Sequence, residues 1–235
     1  MLLFQRLAEE TAFDQYAASY DQDLARGIAV SGEDRTFFAR GRIAWLERCL
    51  AELGLAPERI LDFGCGGGET TALLDERFPG ARLVGVDISE PLLARARRTH
   101  PGARFEQVNA VAAGERFDLA FLNGVFHHIA EAEQAEAARY LRERLAPGGV
   151  LAFWENNPWS PAARYVMSRI AFDRDAVMLW PRRVRGLLRG AGLEVLRTDF
   201  LFVFPRLLRA LRPLEPRLSR LPLGAQFQVL ARRSD

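Results

Sequence analysis

No lysine occurs among the 235 residues; all 32 basic side chains are arginines. That excludes Schiff-base chemistry on a lysine amine and a phosphate loop ending in Gly-Lys-Ser/Thr. We read the arginine usage as a bias of genome composition rather than of function. Cysteine is almost missing too. Cys49 and Cys65 share no metal-ligand spacing with the three histidines, so no metal site is expected. A disulfide at Cys65 would hinder the glycine-rich stretch around it, which points to a reducing, cytoplasmic compartment. Net charge is only +2, so no overall field favours nucleic acid. Long apolar runs are absent: the longest, 200–205, is far too short to span a bilayer. Residues 1–10 turn acidic after a very short apolar run and do not read as a signal peptide. Neither an internal repeat nor a low-complexity linker is visible.

What is present is a chain with 49% hydrophobic residues, suited to one domain with a sizeable core, or a core with a lid. Its organising stretch is Ile60-Leu61-Asp62-Phe63-Gly64-Cys65-Gly66-Gly67-Gly68-Glu69-Thr70-Thr71. Ile60, Leu61 and Phe63 read as a short buried strand, the glycines as a loop that a ligand approaches closely, and Thr70-Thr71 as the opening of a helix. A strand, a glycine turn and a helix N-terminus form the nucleotide end of a doubly wound α/β fold. A dinucleotide fingerprint from Gly64 needs its last glycine at position 69, where Glu69 stands. Asp87 closes a second strand-like run, Leu83 to Val86, and an acid there, expected to be no core group, is placed to accept hydrogen bonds from ribose hydroxyls.

Asp62-Phe63-Gly64-Cys65-Gly66-Gly67-Gly68 and Val84-Gly85-Val86-Asp87-Ile88-Ser89 resemble the first motif and following acidic loop of class I S-adenosylmethionine-dependent methyltransferases. The resemblance runs from about Phe13 to Arg233. It implies a Rossmann-like seven-stranded sheet, mostly parallel with an antiparallel last strand, helices on both faces, and S-adenosylmethionine as cofactor. Its cofactor positions fall on Asp62, Gly64, Cys65, Gly66, Gly68, Asp87, Ile88, Asn109, Ala110 and Asn123, with Tyr20 facing the ligand from a segment before the core. Phe13, Tyr16 and Tyr20 fit equally well as the packed face of a capping helix. At Asn109 the family usually has an acid near the adenine amino group; asparagine keeps an acceptor oxygen.

The chain divides into a helical cap (1–54), a cofactor core (55–154), an acceptor lid (155–181) and the rest of the sheet (182–235). Within the cap, a helix over 35–53 carries Arg42. We read Arg42 as a solvated surface residue, with a reach to the methionine carboxylate as its other role. The run Phe117 to Ile129 resembles the family's fourth motif, with Asn123 at a strand end and His127-His128 beyond. A histidine there is a candidate general base, and His128 matches the family's commoner position. Glu155-Asn156-Asn157-Pro158 looks like a Glu-His-Asn-Pro signature of a small-molecule branch, with Asn156 in place of histidine, so Glu155 is a further catalytic candidate. Trp159 to Pro181 shows no clean period, and Leu193 to Phe204 reads as the sixth strand.

Residues 205–222 interleave leucines with five arginines and one acid, Glu215. The expected form is a core-packed helix with a solvated arginine face; peripheral contact with a membrane is the other reading, disfavoured because Pro213 and Pro216 break a long helix. The expected function is methyl transfer to O, N or C of a small molecule, with an apolar or lipid-like acceptor among the candidates. A cofactor-binding partner of the same fold without transfer activity is the alternative. The oligomeric state is not legible.

Overall fold

The structure, a computed structural model, describes residues 27–170 and 176–234. Tyr20, the rest of the pre-core segment, Phe172 and the charged run 173–175 lie outside the described residues.

Helix α1 (Arg35–Glu52) precedes β1 (Arg59–Phe63), α2 (Glu69–Arg77), β2 (Arg82–Asp87), α3 (Glu90–Thr99), β3 (Arg104–Gln107) and β4 (Phe117–Asn123). Then come α4 (Gln134–Arg144), β5 (Leu145–Asn156), α5 (Pro161–Arg169), α6 (Pro181–Gly190), β6 (Leu193–Leu201), α7 (Glu215–Leu218) and β7 (Gln226–Arg233). The strands form one sheet in the order β3-β2-β1-β4-β5-β7-β6. β1 pairs parallel with β2 and β4, and β4 with β5, while β7 runs antiparallel to both β5 and β6. This is the expected doubly wound sheet with its last strand reversed.

The central strands are buried on both faces, as parallel strands between helices must be. Alternate residues serve opposite layers. Ile60, Leu119, Phe121 and Trp154 pack with Leu46 and Leu50 of α1 and Leu74 of α2. Leu61, Phe63, Leu122 and Phe153 pack with Leu141 of α4 and Val184 and Leu188 of α6. The chain order reverses direction between β1 and β4, so the crevice at their carboxyl ends is the switch point where open α/β sheets bind ligands.

Three local expectations are corrected. The aperiodic stretch after β5 contains α5, announced by Ser160, whose hydroxyl accepts the Ala163 N–H, and by Pro161 at the first turn. β6 stops at Leu201 rather than Phe204, because Phe202 turns to φ 65°. Residues 206–218 are helical, in a 3₁₀ segment (Arg206–Leu214) and α7, yet none of their side chains is buried, so this is no core-packed helix.

Candidate functional site

The loop from Gly64 to Gly68 leaves β1 at the switch point. Gly64 and Cys65 both donate their N–H to Val86 O, at 2.8 and 3.0 Å, which ties the loop to β2. Gly64, Gly66 and Gly68 all take positive φ, but for different reasons. A Cβ on Gly64 would meet Val125 at 2.4 Å, and one on Gly68 would press on Ala96, His100 and Phe105 at 3.0 Å. A Cβ on Gly66 would meet nothing within 4 Å among the described residues. Two glycines therefore serve packing, and Gly66 faces open space.

Two acids hold this loop from below and beside. Asp62 is buried under it and accepts the Thr71 hydroxyl at 2.7 Å, joining β1 to the first turn of α2. Burial pushes its carboxyl up to about 7, against the Thr71 hydrogen bond and with help from the nearby Asp87 charge. Asp87 ends β2 and accepts the Gly66 N–H at 2.8 Å on Oδ2 and the Ser89 N–H at 3.0 Å on Oδ1. The expectation that this carboxylate is no core group is corrected: Asp87 is buried and braces both loops. Ser89 occupies the N-cap of α3, but its side chain makes no capping bond.

Cys65 turns its thiol into the small cluster of Leu93, Ala96 and Phe105, where burial raises it well above the usual range. Ile88 is half-buried beside Asp87, and Asn109 and Ala110 stand exposed in the turn after β3, at the same edge. Asn123 closes β4 with a buried Oδ1 that has no hydrogen-bond partner among the described residues. A free acceptor, two braced acids and an open glycine suit a ligand rich in hydroxyl and amino donors, as S-adenosylmethionine is.

Glu155, at the end of β5, lies beneath the 3₁₀ turn Phe126–His128 rather than at the surface. Its Oε1 accepts the Phe126 and His127 N–H groups at 3.1 and 3.3 Å, and its Oε2 lies 2.6 Å from His127 Nδ1. Glu155 thus fixes the turn and the ring of His127, whose side chain is only 4% exposed. His128 packs its ring 4.1 Å from that of His127 and remains half-exposed. Of the three catalytic candidates, His128 is the one that is not buried.

Arg42 is buried, not solvated. It donates to Gln226 Oε1 at 2.9 Å, and Gln226 donates to Asn156 Oδ1 at 3.1 Å, so a polar chain runs from α1 to the carboxyl end of β5. A signal for this existed: Ala39, Arg42, Leu46 and Cys49 follow the i, i+3, i+7, i+10 stripe of one helix face. Trp159 and Trp180, half-exposed and edge to face at 5.3 Å, stand beyond β5. A cavity of about 410 Å³ lined by Leu55, Pro57, Asp118 and Pro147 lies at the opposite, amino-terminal edge, away from these groups.

Residues 61–151 match the family model described as "Methyltransferase domain". Among curated proteins, the chain is 37% identical over 118 residues to trans-aconitate 2-methyltransferase of Methylobacterium nodulans, covering 49% of this chain and 45% of that one. It is 33% identical over 145 residues to the same-named enzyme of Rhodopseudomonas palustris, covering 60% and 53%. The matches thus span about half the length of these relatives. Among solved structures, an S-adenosylmethionine-dependent methyltransferase of Thermotoga maritima superposes with a TM-score of 0.66 at 18% identity, over 94% of this chain and 98% of that one. A TehB-like methyltransferase of Corynebacterium glutamicum gives 0.61 at 19%, over 94% and 99%.

Proposed function

We propose that this chain, in which residues 61–151 match a methyltransferase domain, is a class I S-adenosylmethionine-dependent methyltransferase that transfers a methyl group from S-adenosylmethionine to a small molecule. The observation that carries the proposal is the Asp87 clamp, a carboxylate at the end of β2 bonded to Gly66 and Ser89 beside a glycine with open space before it. When bound, S-adenosylmethionine supplies a methyl group already activated by its sulfonium.

The chain's own residues then bind and align. Asp87 accepts the ribose hydroxyls, the turn at Asn109 and Ala110 lies along the adenine, and Asn123 Oδ1 accepts a donor at the methionine end. Alignment of donor and acceptor is worth roughly 7–11 kcal/mol. For a hydroxyl or amine acceptor, the proton leaves as the methyl arrives, and His128 takes it. Glu155 and His127 hold the turn that presents His128, which makes them positioning residues. Trp159, Trp180 and α5 form one wall of the acceptor side, and that wall supports an acceptor with an apolar part.

The curated relatives are named for trans-aconitate. We carry that class, small polycarboxylates, to this chain as the first acceptors to test, because the buried Arg42 contributes positive charge near the same edge. The test is release of S-adenosylhomocysteine with trans-aconitate, other small carboxylates, amines and hydroxyl compounds. Turnover on one class supports the proposal. Cofactor binding by calorimetry with no turnover across the panel would instead support a non-catalytic binding protein.

A further inference from the structure

The connection between β6 and β7 carries a surface that the methyl-transfer reading does not use. It starts at the carboxyl edge, since Leu201 pairs with Gln226 where β6 ends and β7 begins. Its 3₁₀ segment is kinked at Leu208. On such a helix residues three apart stand in line, which aligns Leu208, Leu211 and Leu214. These three and the 92%-exposed Leu207 are all open to solvent, and Leu221 and Leu223 continue the apolar surface. The turn bearing the half-exposed Trp159 is stitched to the same segment, because Asn157 Nδ2 donates to Pro222 O and Gly224 O at 3.2 and 2.7 Å.

The polar side chains sort by direction. Arg212 turns inward, to Glu33 at 2.8 Å and over the Phe37 ring at 4.3 Å. Glu215 also turns inward and accepts the Phe202 and Phe204 N–H groups at 3.2 and 3.0 Å. Arg206, Arg209, Arg217 and Arg220 stay exposed, although Arg206 also donates to Gly32 O at 3.3 Å and Arg220 lies 3.5 Å from Asp199. The outward face is therefore leucine and arginine, and the one acid between residues 205 and 223 is withdrawn from it.

We propose that this face docks on a membrane surface rich in anionic lipid. An apolar stripe flanked by cations matches the boundary between acyl chains and anionic headgroups, and an exposed tryptophan is suited to the same depth. A second copy fits less well, because a two-fold contact through this face would set arginines against arginines with no outward acid to meet them. The proposal goes beyond methyl transfer and does not depend on it.

The test is co-sedimentation of the full chain with vesicles of phosphatidylglycerol mixed with phosphatidylcholine, against pure phosphatidylcholine, at low and high salt. The expected result is binding at least about tenfold tighter to the anionic vesicles, weakened by salt. Arg206→Gln with Arg209→Gln should weaken binding about fivefold per charge removed. Leu207→Ser with Leu211→Ser should weaken it at least about tenfold, with melting temperature unchanged because these side chains are exposed. Absence of vesicle binding at low salt would overturn the proposal, as would binding indifferent to both double substitutions. A concentration-dependent dimer lost in the leucine variant would overturn it too, by assigning the face to a second copy.

Discussion

Asp62 sits on β1 with its carboxyl raised to about 7 by burial, so the folded chain holds a proton there that the unfolded chain releases near 3.8. Between those values the folded state binds more protons, and stability must fall as pH rises through the window, then level off above about 7. Asp62→Asn keeps an acceptor for Thr71 and removes the charge. Melts between pH 5 and 8 should show a shallower decline in the variant, by an amount on the order of a few kcal/mol; an unchanged slope would mean Asp62 is ionised without penalty. Asp87→Asn is the sharper probe of the ligand. It should weaken S-adenosylmethionine binding at least about tenfold in calorimetry. It should also lower stability by about 1–3 kcal/mol, since one braced N–H loses a charged acceptor. His128→Ala separates acceptor classes: turnover should drop about a hundredfold on a hydroxyl or amine and stay within about tenfold on a carboxylate, which has no proton to surrender at neutral pH.

At the scale of elements, the glycine loop shows that glycines in one motif do different jobs. Gly64→Ala drives a methyl into Val125 at a positive φ and should destabilise the fold by more than about 2 kcal/mol. Gly66→Ala bears only the backbone penalty of about 1–2 kcal/mol, because its Cβ enters open space. The variant should fold, melt a few degrees lower, and lose most of its affinity for S-adenosylmethionine, since the methyl occupies the ligand's side of the loop. Retained affinity in Gly66→Ala would place the ligand elsewhere. The turn Phe126–His128 is a second element with a single keystone. Glu155→Gln replaces one accepting oxygen by a donor, facing either two N–H groups or the His127 ring. Denaturant melts should register a loss of about 1.5–3 kcal/mol.

For the whole molecule, S-adenosylmethionine bound as proposed would touch loops from β1, β2, β3 and β4 and bind only the folded chain. S-adenosylmethionine at a hundred times its dissociation constant should therefore add about 2.7 kcal/mol of stability, read as a rise in melting temperature. Nicotinamide dinucleotides should give no rise, because the glycine that their pyrophosphate site needs at position 69 is Glu69, tied in this fold to Arg35 and Arg95. A comparable shift with a dinucleotide would overturn the assignment of the loop.

The doubly wound fold and the glycine loop at its switch point were legible from the sequence because both rest on local chemistry. Buried strands, positive-φ glycines and an acid at a strand end each leave a mark within a few residues. The short α5 was missed, although the Ser160-Pro161 pair marked its start. The tasks of Asp62, Glu155, Arg42 and Glu215 needed the tertiary structure. A side chain's partner is set by what the sheet brings against it, and those partners lie 9, 28 and 184 residues away for the first three. The leucines of 205–222 carried the pattern of a buried helix. Only the packed molecule decided that nothing in its described residues covers them, because amphipathic spacing specifies an apolar face and not what meets it.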